Sequence, residues 1–169
     1  MERKNFLKSL TAASAAGFLL QNQLIAQAPS QDPAPFSIDM VKDFVIAGHG
    51  NFSKVQDMLK EHPNLLYCKY DWGNGDFEAA IEGAGHVGNK EIANFLIDQG
   101  SRVTIYVLTM LGRGDLVKPI LEAYPTMLNA KGPHGFTLLH HAKVGGAEAE
   151  ELYAWLDQKG LKEDRVKLR

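Results

Sequence analysis

The chain has 169 residues, 45% of them hydrophobic and 22% charged, with a formal net charge of −2. That length allows one domain, and the composition is that of a globular chain rather than a disordered one. The weak negative balance excludes a strongly basic nucleic-acid binder, and no apolar run of about 18 to 20 residues follows residue 40, which excludes a polytopic membrane protein.

The chain opens on a basic stretch, Arg3-Lys4-Asn5-Phe6-Leu7-Lys8, followed by a small-residue apolar run from Ser9 to Leu20. This is the layout of a secretory signal, so residues 1–28 are expected to be a signal peptide, cleaved after Ala26 or Ala28. The basic stretch also resembles the twin-arginine export motif, with Lys4 at the second arginine. The mature protein is then exported, periplasmic or secreted, and meets a membrane only through the signal segment before cleavage. The bland alternative is an uncleaved amphipathic helix or anchor. Residues 29–36 continue a proline-rich stretch and are expected to be an extended linker. Cys68 is the single cysteine, so no intramolecular disulfide forms, and its apolar surroundings predict a buried structural thiol.

From Ser37 the apolar periodicity is helical. Ser37 is the expected N-cap of a helix from Ile38 to Ala47, in which Ile38, Val41 and Val45, and Met40 and Phe44, fall at three- and four-residue spacing, and Val55, Met58 and Leu59 mark a second helix that Pro63 stops. Gly50, Gly88, Gly112 and Gly146 each follow a short first helix and precede a second one, at intervals of 38, 24 and 34 residues. The long interval holds Asp71-Trp72-Gly73-Asn74-Gly75-Asp76, a turn-forming cluster suited to a protruding finger. The short interval has only Ser101 to Thr104 and no room for one. Lys131-Gly132-Pro133-His134-Gly135 supplies the next finger. Pro119 falls in the third second-helix, where it either marks the first turn or kinks the helix.

The clearest copy of the pattern ends in Gly135-Phe136-Thr137-Leu138-Leu139-His140-His141-Ala142. Its frame resembles the ankyrin consensus G-x-T-P-L-H-x-A, with Leu138 in place of proline, and the glycine spacing is near that family's period of about 33 residues. The resemblance covers residues 37–160 and is strongest in the second and fourth copies; Glu82 stands where the second copy would have histidine. It implies an all-α fold, an ankyrin-type solenoid of about four helix-turn-helix repeats, in which neighbours bury what a single hairpin cannot. Residues 161–169 carry the charge of a C-terminal cap.

The resemblance also implies a function through shape: an interaction module, not an enzyme, gripping another protein with its fingers and concave first-helix face. The expected contact residues are Tyr70, Trp72, Asp76, Glu82, His86, Tyr106, Arg113, His134 and His141, with Trp72 and His134 exposed. No cofactor and no metal is expected, and no nucleic-acid partner. Other readings of the same residues are blander. Gly83 to Gly88 is formally a GxGxxG, but a helical stretch precedes it where a dinucleotide site needs a strand. His140 and His141 point about 100° apart on a helix and cannot share one ion; His140 takes the structural position and His141 the surface. Glu82 and His86 share a helical face and, with Asp76 or Glu78, would make a weak metal site, an acid/base pair, or merely an ion-paired patch. The rival function is therefore a metal-dependent or small-molecule-binding accessory protein of the periplasm using Glu82, His86, His134 and His141, or a pocket under the Trp72 finger.

Overall fold

The computed structural model describes residues 33–168, so the expected signal peptide and most of the linker lie outside the described residues. Eight α-helices follow in hairpin pairs: α1 (Ile38–Gly48) with α2 (Phe52–Glu61), α3 (Ala80–Val87) with α4 (Lys90–Asp98), α5 (Ile105–Met110) with α6 (Gly114–Ala123), and α7 (Leu138–Gly145) with α8 (Glu150–Gln158). The fold is all-α apart from a finger hairpin of two short strands, β1 (Tyr70–Asp71) and β2 (Phe77–Glu78), paired antiparallel with Tyr70 opposite Glu78 and Asp71 opposite Phe77. No described helix is long and apolar enough to cross a membrane.

Local chemistry sets the helix ends. Ser37, Asn51, Asn89 and Thr137 each accept a hydrogen bond from the backbone N–H three residues on, closing an otherwise unpaired donor of the first turn. Gly88 ends α3 in the left-handed region, at φ 76°. A Cβ there would also lie 2.6 Å from the Val144 carbonyl, so residues larger than glycine are barred twice over. Pro119 lies inside α6 beyond its first turn, on the exposed side. The fourth second-helix starts late because a 3-10 turn, Gly146–Ala149, is inserted before α8.

The pairs are packed in series. The first helices form a row, α1 on α3, α3 on α5 and α5 on α7, and each also packs on its own second helix. Small residues permit this: a Cβ on Gly48 would stand 2.3 Å from the Ala80 carbonyl oxygen of the next first helix. Two buried apolar clusters result, one from α1 to α5 around Phe44, Ile81, Ile92 and Leu96, the other from α6 to α8 around Leu138, Leu139 and Leu156.

Finger two (131–137) carries a 3-10 turn, Pro133–Gly135, with His134 at φ 58°. The C-terminal residues run along it. Thr137 N donates to Asp164 O, Val166 N donates to Gly135 O, and Leu161 is buried in the second cluster. The charged tail thus contributes backbone pairing as well as charge.

Candidate metal centre between the fingers

Four segments bring His49, Glu78, His86 and His134 together. His49 caps the C-terminus of α1, Glu78 ends β2, His86 lies in the last turn of α3, and His134 sits at the tip of finger two. One ligand atom from each lies within 4.8 Å of the other three. Glu78 is the centre. Its Oε1 is 3.1 Å from His86 Nδ1 and 3.4 Å from His49 Nε2, and its Oε2 is 3.4 Å from His134 Nε2.

Each group is held from behind. The pairing register puts Glu78 on the same hairpin face as Tyr70, and strand alternation puts Trp72 on that face too. Trp72 Nε1 donates to Glu78 Oε2 at 2.8 Å, which fixes the carboxylate plane. His49 Nδ1 lies 3.0 Å from the Val45 carbonyl, and because a carbonyl only accepts, Nδ1 carries the proton there. Asp76 receives His134 twice, from the backbone N–H at 2.7 Å and from Nδ1 at 2.8 Å. The Gly83 position makes room: a Cβ there would stand 2.8 Å from the His49 ring. That is the task of this glycine in the GxGxxG stretch, and it is one of packing.

Glu78 is 0% exposed. Burial pushes its pKa up, but the His49 and His86 imidazoles close against its Oε1 outweigh burial and hold the carboxyl at about 2. The same contact with Glu78 raises His49 above the ordinary imidazole value. Glu78 Oε1 and His86 Nδ1 are both sealed from solvent, and neither makes an aligned hydrogen bond. On one side an open cleft of about 510 Å³, lined by Asp76, His134, Arg165 and Lys167 among others, reaches His134.

The sequence-derived contact residues fall into three groups. His86 and His134 join the cluster, and Asp76, Trp72 and Tyr70 surround it, with the Tyr70 and Trp72 rings 4.8 Å apart. Trp72 is exposed as expected, whereas His134 is not. Trp72 is 37% exposed with its N–H engaged by Glu78, and His134 is half-buried and held by Asp76. Glu82, His86 and His141 are buried, which overturns their expected role as partner contacts. Glu82 Oε2 accepts from Ala79 N and from Lys69 Nζ, both at 2.9 Å, so this carboxylate closes the first turn of α3.

His141, expected at the surface, is 1% exposed. Its Nδ1 donates to Thr137 O at 2.7 Å, and its ring packs against Tyr106. The less buried neighbour is His140, whose Nε2 reaches the His86 carbonyl at 2.8 Å and ties α7 to α3. Tyr106 is half-buried, its hydroxyl pushed up to about 12 by burial and by the Glu82 charge. Arg113 is exposed, and its guanidinium is paired with Asp115.

His49 and Glu78 complete the cluster, and His49 was not among the expected site residues. It lies in a Gly-His-Gly turn whose glycines already account for the helix break. Its only signal is an imidazole at a helix C-terminus, a place that favours histidine for the helix dipole alone. No family model matches the chain, and no curated protein matches it.

Proposed function

We propose that the chain is an ankyrin-type stack of about four helix hairpins that works by holding a partner protein, with the two fingers and the first-helix row as its grip. The observation that carries this is Phe77. It stands on the outer face of the finger hairpin, opposite Asp71 and turned away from Glu78, and is 53% exposed. A large aromatic side chain held out on an ordered hairpin is costly in water and gains most when a second surface covers it. Serial packing of first helices, a left-handed glycine after α3 and a threonine cap before α7 support the ankyrin likeness.

Binding rather than turnover is the proposed activity. Burial raises the Cys68 thiol, which keeps it protonated and a poor nucleophile. The partner is a protein of the compartment to which the signal-like segment directs the chain. The experiment is affinity capture from the exporting cell with the full-length product as bait. Phe77→Ala is expected to cut recovery of the partner at least tenfold while leaving the melting temperature within about 2 °C, as an exposed side chain should. Undiminished capture by that variant would show that the finger is not the grip.

A further inference from the structure

We propose that His49, Glu78, His86 and His134 are the four ligands of a divalent transition-metal ion of the zinc class, which fastens both fingers to the end of α1. The geometry comes first. A tetrahedral ion with ligand bonds of about 2.0–2.1 Å sets its ligand atoms roughly 3.3–3.4 Å apart. Glu78 Oε1 lies 3.1 and 3.4 Å from its two histidine nitrogens, and all four donors fall within 4.8 Å of one another.

The proton inventory points the same way. His49 Nδ1 donates to Val45 O, and His134 Nδ1 donates to Asp76 Oδ2. In the neutral rings both Nε2 atoms then carry lone pairs, and both face the Glu78 carboxylate. Lone pairs against an anion repel, so each ring must either take up a second proton or share a cation with the carboxylate. Glu78 Oε1 and His86 Nδ1 are two further buried atoms without an aligned donor or acceptor. One divalent ion would engage all four.

The outer contacts are those that metal ligands require. An imidazole backed by a carboxylate is oriented and made more basic, as His134 is by Asp76, and Trp72 holds the second oxygen of Glu78 so that Oε1 is left to bind. Three imidazoles and one carboxylate suit zinc and its neighbours rather than calcium or magnesium, which take oxygen ligands. Four protein ligands close the coordination sphere, the pattern of a structural ion. Its work is to hold finger one, finger two and α1 in one arrangement.

The test uses the full chain, stripped with a chelator, then titrated with Zn2+ by calorimetry and with Co2+ by visible absorption. One equivalent of each is expected, with the strong visible bands of tetrahedral Co2+ and a change in Trp72 emission. Glu78→Gln and His86→Ala should each weaken Zn2+ binding at least about 100-fold, and Asp76→Asn about 10- to 100-fold. His62→Ala, on α2's far end, should bind as the parent does. Substoichiometric uptake by the parent chain, a six-coordinate Co2+ spectrum, or parental affinity in Glu78→Gln overturns the site. Such a result would leave a protonated His49 paired with Glu78. If Glu78→Gln and His86→Ala lose their helical circular dichroism, the parental titration and Asp76→Asn decide. A chain that captures its partner yet takes up no zinc overturns the metal site alone.

Discussion

His141 shows what one buried titratable ring does to the whole chain. Burial holds its pKa down at about 4, although the Thr137 carbonyl opposes that by accepting from its Nδ1. The unfolded ring titrates near 6.5, so between those values the unfolded chain binds a proton that the folded chain refuses. Stability from this group is complete above about pH 6.5 and is lost as the pH falls towards 4. A drop of about 3 kcal/mol is expected over that span. Urea melts of the parent and of His141→Leu at pH 7 and pH 4.5 measure it, and the variant should lack this step. The same ring defeats a reading from local spacing. Two adjacent histidines on a helix must diverge, but which one turns inward depends on Tyr106 of the neighbouring first helix, which meets His141 only after the stack closes. His49 is the parallel case: its turn was legible, its carboxylate partner was not.

At the scale of the element, the helices and their ends were the most legible. The apolar stripes of α1, α2 and α4, the breaks at Gly88 and Gly112 and the missing finger at Ser101 to Thr104 follow from side-chain periodicity and backbone sterics. These are local forces, so neighbouring residues reveal them. The finger strands were less legible, since two residues each leave no alternation to detect, and their pairing register decides that Glu78 faces inward and Phe77 outward. Leu96, on α4, is 1% exposed within the first apolar cluster. Leu96→Ala should therefore cost about 2–5 kcal/mol in chemical denaturation, the range for a large buried truncation that leaves a cavity. A cost below about 1 kcal/mol would mean that α4 relaxes freely onto its neighbours.

Across the described residues, cohesion runs from each hairpin to the next, and the fourth hairpin is also covered by the segment that follows α8. Beyond the Thr137 and Val166 backbone bonds, Thr137 Oγ1 donates to Glu163 O at 2.6 Å and Arg165 Nε donates to His134 O at 2.7 Å. A chain ending at Lys162 keeps Leu161 in the core but loses all four contacts. It should be less stable by about 2–4 kcal/mol, at roughly 1 kcal/mol per net hydrogen bond. Hydrogen–deuterium exchange should quicken at residues 131–137 first and leave α1 to α4 near parental rates. Uniform quickening along the chain would instead show a single cooperative unit.

The cluster's four side chains come from widely separated points of the chain, His49 first and His134 last. During synthesis the ribosome delivers three of them while the fourth is still unmade. A stalled or proteolysed product that stops short of the second finger would keep the buried carboxylate yet lack the imidazole that Asp76 steers into place. At the proposed site, such fragments should bind metal more loosely than the finished protein, with only three of the four side chains and no His134 ring against Trp72.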